Sequence, residues 1–439
     1  MTDSARIRQR ATAGVPWSQA RFLRFPAVQV ERSEARAAVA HRGPVLLSGP
    51  PWSGRTTALE QVGRQLLHAG IAPDRIGWVE LGQAAWRDCD LPTVVAAFED
   101  GPPSAILLDD LPADTVEWLL AYRGPVRLIA TRAGVVASSL PLSPWTFWRA
   151  LRTWDVGVPL PGGASTEEVL RSAMRLSDAS DALAEPLRRY LLLGAFPALL
   201  LSPNRDPAVE LAAAQQAVAA RVLDRTLFKQ IPLDTGIREP AVLEALLADV
   251  ARSPGELLAP SAVAARLGIT QPTVDKYLDA LARAGLVHQL RNGFEANPRR
   301  GRRVLFVDGA VRNAVLRLGV HPLVDPEEMG HLLFHSVISH VVAWARRAGT
   351  EVGHWRRGRL AVDIVVRHPG GPLALQMGSS RTALESLRAF TRENPDFESR
   401  GWLLLHRAPP TWPAHHESGV GRIAVVPFLV ALGMALEPP

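Results

Sequence analysis

Through the first third of the chain, short apolar runs bounded by glycine and proline alternate with stretches whose apolar residues recur every three to four positions. Pro44 to Ser48 (PVLLS) is followed by the loop GPPWSGRTT, then by ALEQVGRQLL, in which Leu59, Val62, Leu66 and Leu67 fall on one helical side. Ile106 to Asp110 (ILLDD) and Val126 to Ala130 are further apolar runs of strand length. Runs without polar alternation suit parallel strands, which are covered on both faces. After Trp154 the segment VPLPGGAST, rich in proline and glycine, reads as a linker. From Glu167 to about Leu247 the periodicity is helical, in VLRSAMRL, LRRYLLLGAFPALLL and AAAQQAVAARVLDRTLFKQI. Gly194 to Pro197 (GAFP) interrupts the most apolar of these helices as a turn.

Leu258 to Gly293 has a different pattern. A short helix, capped by Ser261, turns Val263, Ala264 and Leu267 inward, and Gly268 makes the turn. A second helix starts at Gln271 with Val274, Leu278 and Leu281 inward, and LVHQL begins a strand. This is the order of a helix-turn-helix with a wing. The closing RIAVVPFLVALGMAL predicts a last strand and helix.

Composition narrows the picture without choosing a function. A chain of 439 residues, 47% hydrophobic, is long enough for two to four domains, and a net charge of +6 gives a mild bias toward anionic partners. Cys89 is the sole cysteine, so no disulfide forms within the chain and a reducing compartment fits. The N-terminal MTDSARIRQRATAG has no apolar core of the secretory kind. The longest late apolar stretch is broken by Pro427 and Gly433 and falls short of the roughly 20 residues that span a bilayer. The expectation is a cytoplasmic, soluble protein without a membrane partner.

The strand, loop, helix order around GPPWSGRTT is the context a phosphate-binding loop requires. Gly49, Pro50, Pro51, Trp52, Ser53, Gly54, Arg55, Thr56 and Thr57 are therefore candidate nucleotide ligands. Main-chain amides of residues 50 to 57, with the guanidinium of Arg55, are expected to enclose the triphosphate of ATP, helped by the positive end of the following helix. Thr56 and Asp109 are candidate Mg²⁺ ligands, Asp110 a candidate to orient the attacking water, and Thr131 a γ-phosphate sensor. Arg132 and Arg225 are the candidate arginine fingers, and Pro197 a candidate contact to the adenine face. Arg55 stands where this motif has lysine. A planar guanidinium keeps the charge but loses the fit of a compact ammonium, so slow hydrolysis is expected.

In the winged segment, a DNA reading places Gln271, Thr273 and Lys276 in a major groove and assigns Arg291, Arg299, Arg300, Arg302 and Arg303 to phosphates. Asp275 and Asp279 on the same helix oppose it. A protein-contact role is the alternative.

Taken in order, GPPWSGRTT, ILLDD, LIATR, LLLGAFP, VLDRTLFKQIP, PSAVAARLGITQPTVDKYLDAL, VLFVD and HWRRGRLAVDIVV with PLALQMGSS resemble the prokaryotic AAA-like P-loop ATPases that carry a C-terminal restriction-nuclease-like domain. The resemblance covers nearly the whole chain. It implies an α/β fold with a P-loop NTPase parallel sheet at 1–155, a helical lid at 156–247, a winged helix-turn-helix at 248–303 and a PD-(D/E)XK nuclease-like α/β domain at 304–439. In that last domain Asp363 stands at the family's aspartate. Gln376 replaces an acid, Gly378 a lysine, and His335 a glutamate, so metal-dependent cleavage is not expected. Trp344, Trp355 and Trp402 read as core or edge aromatics. The leading expectation is an ATP- and Mg²⁺-dependent switch acting on a protein partner, on itself or on double-stranded DNA. The alternative is a DNA-binding regulator whose P-loop is structural.

Overall fold

The computed structural model describes residues 3–13, 32–83, 86, 90–99, 102, 104–156, 180–202, 206–292, 301–350, 352–369, 372–378, 380–397, 401–405, 414–417 and 422–427. The chain divides into two compact units, Met1–Pro144 with Arg283–Gly285, and Trp145–Ala282 with Leu286–Pro439.

In the first unit the order is α1 (Asp3–Ala13), α2 (Ser33–Ala40), β1 (Val45–Gly49), α3 (Arg55–His68), β2 (Ile76–Glu80), α4 (Leu91–Ala96), β3 (Ala105–Asp109), α5 (Val116–Ala121), β4 (Arg127–Ala133) and β5 (Leu140–Pro141). The strands form a sheet in the order β2-β3-β4-β1-β5, and each adjacent pair is parallel. Alternate residues of one strand feed opposite faces. Leu46, Ile106, Leu108 and Leu128 join Phe98 and Val79 in one core, while Val45, Leu47, Leu107 and Ile129 meet Leu59, Val62 and Leu66 of α3 in another. Covering both faces is why these strands read as unbroken apolar runs. Strand β4 extends past Ala130, so Thr131 and Arg132 lie within it rather than beyond its end. Strands β2 and β5 fall outside the runs singled out from the pattern.

The first unit ends at Pro144, before the expected boundary at 155. Helix α6 (Phe147–Thr153) belongs to the second unit because its aromatic residues find their core there. Phe147 lies 5.5 Å from Tyr190 between ring centroids. The Phe147 amide donates to His340 Nε2 (3.0 Å), and Tyr190 Oη donates to Trp145 O (2.7 Å).

Helices Ser180–Leu193, Pro197–Leu200, Pro207–Val218 and Pro240–Arg252 follow, with π-helical turns at Ala219–Asp224 and Thr226–Gln230. The linker VPLPGGAST and the stretch VLRSAMRL lie outside the described residues. GAFP makes the expected turn for a specific reason. Gly194 has φ +82°, and a Cβ there would collide with Asp308 Oδ1 and Ala310 Cβ. Asp308, the acid of VLFVD, accepts from the amides of Ala195 (2.9 Å) and Ala310 (2.7 Å). One buried carboxylate thus caps the helix Gly309–Leu316 and fixes a turn 113 residues away.

Next come β6 (Leu257–Leu258), helices Pro260–Leu267 and Gln271–Arg283, β7 (Val287–Asn292) and β8 (Arg302–Phe306). Gly268, at φ +65°, makes the left-handed turn. Ser261 does not cap the first helix. Ala259 is the N-cap, and Pro260, with φ already fixed, starts the helix. The hairpin is not confined to a winged segment ending at 303. Strands β6 to β8 continue into β9 (Val352–Arg357), β10 (Leu360–Val366), β11 (Leu373–Met377), β12 (Gly401–Leu405), β13 (Ala414–Glu417) and β14 (Arg422–Pro427). Together they form a nine-stranded sheet in the order β13-β14-β12-β11-β10-β9-β7-β8-β6. The helix expected after Pro427 lies outside the described residues.

Trp344 stacks on His368 with ring centroids 3.7 Å apart, and Trp355 meets Phe390 edge-on at 5.6 Å. Trp402 lies in β12; its side chain is outside the description. Among the described residues no helix is long and apolar enough to cross a membrane.

Candidate phosphate-binding site

The carboxyl ends of β1, β3 and β4 bring the sequence motifs together. Gly49 closes β1, Asp109 closes β3, and the loop from Pro50 to Gly54 leads into α3. Gly54, the N-cap at φ +86°, lets the loop enter the helix. The amides of Thr56 and Thr57, in the first turn of α3, have no carbonyl acceptor inside the helix.

The carboxylate of Asp109 is the centre of the arrangement. Its Oδ2 accepts from Thr56 Oγ1 at 2.8 Å, and its Oδ1 accepts from Thr131 Oγ1. Thr131 Oγ1 in turn accepts from the Asp110 amide at 3.1 Å. Burial pushes the Asp109 pKa up; the hydrogen bonds from Thr131 and Thr56 oppose that rise, and neighbouring Asp110 adds to it. Thr131 is fully buried, with its hydroxyl committed as donor and acceptor. It therefore positions the Asp109–Asp110 corner.

Arg55 is placed differently from the expectation. Its guanidinium is 7% exposed and turns back under the loop. Nη1 donates to Gly49 O (3.1 Å) and Pro50 O (2.8 Å), and Nη2 pairs with Asp110 Oδ1 at 3.1 Å. The cation braces the loop from inside, and the carboxylate expected to orient water is ion-paired. Length explains the reversal, since a fork on three methylenes reaches several acceptors at once. A second correction concerns the amides of residues 50 to 57. Pro50 and Pro51 have no N–H, and the Ser53 amide donates to Pro50 O at 3.3 Å. The amides left without a helical acceptor are at the Thr56 and Thr57 end of the loop. Gly49 serves as a close-packed strand end, since a Cβ on it would collide with Leu142 O.

Trp52, half-buried at φ +66°, and Asp110, at φ +56°, hold left-handed backbone that side chains avoid. Such conformations cost on the order of 1–3 kcal/mol each and gather at working sites.

Pattern reading missed two groups here. Arg32, buried beneath the loop, donates through Nη2 to Ser53 O and through Nη1 to Ser143 O (3.3 Å), while its amide donates to Gln61 Oε1 (3.0 Å). It sits in no motif, so the sequence carries no signal for it. Glu60 lies one turn after Thr56, and its pKa is raised to about 7, first by burial and then by Asp109 and Glu80, against the pull of Arg64. Its i+4 spacing from Thr56 was the available clue.

The donor set suits Mg²⁺, a hard cation that prefers oxygen. Two neighbouring ligands of an octahedral ion at about 2.1 Å lie about 3 Å apart, close to the 2.8 Å between Thr56 Oγ1 and Asp109 Oδ2. Among the described residues no group of three or more acidic, histidine or cysteine side chains forms a dedicated metal cage, and Mg²⁺ at phosphates commonly uses one or two protein ligands.

Arg132 Nη1 donates to Leu111 O at 2.8 Å, and Arg225 is exposed between the π-helical turns of the second unit. Pro197 is buried in the second unit as the first residue of a short helix, where its fixed φ is useful.

In the helix Gln271–Arg283, Gln271 and Lys276 are exposed, whereas Thr273 is tied to Thr270 by its amide (3.3 Å) and hydroxyl (2.8 Å). Arg302 is not free for phosphate. Nη2 pairs with Asp275 at 2.6 Å, and Nη1 lies 3.8 Å from Asp279. Arg303 pairs with Asp363 at 2.5 Å, both side chains nearly buried. Arg299 and Arg300 lie outside the described residues. Asp363 Oδ2 also accepts from the Met377 amide (3.0 Å), and Gln376 Oε1 accepts from the Asp363 amide (3.1 Å). Asp363 is therefore engaged in an internal ion pair between β10 and β8. His335, where a glutamate was expected, is fully buried with its Nδ1 on His331 O (2.7 Å).

A family model described as a domain of unknown function (DUF8612) matches residues 184–321. A search of curated proteins finds no match to the chain. Among solved structures, a Walker-type ATPase of Pyrococcus abyssi is similar at 13% identity over 65% of this chain and 95% of that one, with a TM-score of 0.35. A signal-transduction ATPase with numerous domains and a tetratricopeptide-repeat sensor, from Pyrococcus horikoshii, is similar at 14% identity over 70% of this chain and 44% of that one, TM-score 0.23. A chain of Drosophila ORC bound to DNA gives 13% identity over 76% of this chain and all of that one, TM-score 0.19.

Proposed function

We propose that the first unit binds ATP with Mg²⁺ and that the protein works as a nucleotide-dependent switch with slow hydrolysis. The observation that carries this reading is the hydrogen-bonded set Thr56, Asp109 and Thr131, drawn from the first turn of α3 and the neighbouring strands β3 and β4, beside a helix start with open amides. Ligands of open parallel sheets sit at that edge. Mg²⁺ would be held by Thr56 and Asp109, and the triphosphate by the first-turn amides of α3. When bound, the cation neutralises charge developing on the transferred phosphoryl group. Asp110, engaged by Arg55, is poorly placed to orient water, which accounts for slow turnover. Closure of helices within 156–247 over the nucleotide, changing how the later segments meet a protein partner, a second copy or DNA, is the switching step.

The competing reading keeps the P-loop as a structural element and leaves DNA binding as the function. Its support is the guanidinium of Arg55, which already satisfies the loop carbonyls.

Calorimetry with Mg·ATP separates the two. Binding that is lost in Thr56→Ala and Asp109→Asn and weakened in Arg55→Ala is expected. Absence of heat at millimolar Mg·ATP, with no thermal stabilisation, sinks the switch. Arg55→Lys, which returns a compact ammonium and releases Asp110, is expected to raise the hydrolysis rate at least about tenfold.

A further inference from the structure

Asp110 is ion-paired with Arg55, so a water aimed at a phosphate in the first unit needs a different carboxylate. Strand register supplies one. Alternate residues of a strand face one side of the sheet, and on the side covered by α3 the core holds Trp78 of β2, Leu107 of β3 and Ile129 of β4. Two residues further along each strand, the same side carries Glu80, Asp109 and Thr131. The parallel ladder sets Glu80 opposite Asp109, one strand spacing of about 4.8 Å away between backbones. Glu60 of α3 agrees with this placement. Its pKa is raised first by burial and then by Asp109 and Glu80, so the three carboxyl groups share the space beneath one helix.

Glu80 differs from Asp110 in its partners. Its Oε1 accepts from Trp78 Nε1 at 3.3 Å, and its Oε2 accepts from Gln83 Nε2. Both donors are neutral, and among the described residues no arginine or lysine pairs with Glu80. Each carboxylate oxygen keeps a second lone pair for another donor. The side chain is half-buried, held from two sides yet open to water. Among the described residues Glu60, Glu80 and Asp109 do not close into a metal cage, which leaves Glu80 to water rather than to the cation.

We propose that Glu80 orients the water that attacks the γ-phosphorus of ATP, in the place the sequence pattern gives to Asp110. This role rests on Mg·ATP binding by the first unit. The Glu80 carboxylate accepts a hydrogen bond from the water and turns its lone pair toward phosphorus. The water oxygen bonds to phosphorus as the bond to the β–γ bridging oxygen breaks. The bridging oxygen keeps the electron pair and leaves with ADP, and both water protons end on the released phosphate. Glu80 acts from the edge strand of the sheet while Arg55 stays under the loop, so turnover through it is slow.

The test compares wild type, Glu80→Gln and Glu80→Asp as full chains. Single-turnover hydrolysis of radiolabelled ATP is read beside calorimetric affinities for Mg·ATP and for Mg·ADP with aluminium fluoride, a mimic of the phosphoryl group in flight. Glutamine keeps the length of the side chain and still accepts from Trp78, so thermal melts should match wild type. Glu80→Gln is expected to slow the single turnover about 100-fold. Its affinity for Mg·ATP should stay within about threefold, the mark of an interaction made only in the transition state. Affinity for the aluminium fluoride complex should fall at least about tenfold. Glu80→Asp, which keeps the charge but withdraws it by one methylene, is expected to fall between the two. Equal turnover in wild type and Glu80→Gln, with Mg·ATP bound by both, overturns the role of Glu80 and leaves the switch standing. So does a loss of Mg·ATP affinity as large as the loss of rate, or wild-type binding with no measurable turnover. Absence of Mg·ATP binding by wild type removes the nucleotide reading itself, and Glu80 with it.

Discussion

Arg55 does its work as a brace. With two loop carbonyls and Asp110 on one guanidinium, its removal takes a donor from buried acceptors and the counter-charge from Asp110. Arg55→Ala is expected to destabilise the first unit by about 2–3 kcal/mol, read by denaturant unfolding. Glu60 gives the opposite sign. Its folded pKa of about 7 lies above the ordinary 4.5, so the folded state holds its proton more tightly and loses stability as pH rises from 4.5 through 7. Glu60→Gln should therefore raise unfolding stability at pH 8, by about 1 kcal/mol after solvent screening, and leave it unchanged at pH 4, read by denaturant unfolding. The motif residues Thr56 and Asp109 could be found by pattern because the loop, the helix and the acid-ended strand each carry a local signal. The direction of Arg55 could not, because a long side chain chooses its partners only once β1 and β3 stand side by side.

Two elements depend on single contacts between distant segments. Gly194→Ala would drive a methyl into Asp308 and strain a left-handed residue, and a loss of about 3 kcal/mol is expected from chemical denaturation. LLLGAFP and VLFVD are both visible in the sequence, but nothing in either says that they meet. The Arg303–Asp363 pair likewise joins β8 to β10 across 60 residues. Asp363→Ala, which strands a nearly buried guanidinium, should cost about 3–5 kcal/mol, and Arg303→Met/Asp363→Leu should recover most of it. Pairing of this range leaves no local mark, so the sequence presents Arg303 as a basic residue in an arginine-rich run and Asp363 as a nuclease remnant. The alternating parallel strands of the first unit were legible for the opposite reason, since burial on both faces writes itself into consecutive residues.

The whole molecule should be more sensitive to acid in its second unit than in its first. His335, His340 and His354 are held to about pKa 4, and His288 well below its ordinary value, chiefly by burial and then by neighbours that include Arg346, Arg312, Arg347, Arg303 and Arg356. The folded state favours neutral imidazole. The stabilisation is complete above pH 6.5 and is lost as pH falls from 6.5 toward 4. At pH 5 the loss is at most about 2 kcal/mol per imidazole, enough together to unfold a unit of ordinary stability. Near-ultraviolet circular dichroism of Trp344 and Trp355 against pH should show the transition, and a flat signal down to pH 4 would refute it.

The joint between β7 and β9 has a consequence for inheritance. Among the described residues two register pairs link β6–β8 to the rest of the sheet, through β7 and β9. A chain severed between β8 and β9 leaves raw strand edges on both pieces, each a template for adhesion to whatever edge it meets. Under shuffling of gene segments these two later pieces persist only as a pair.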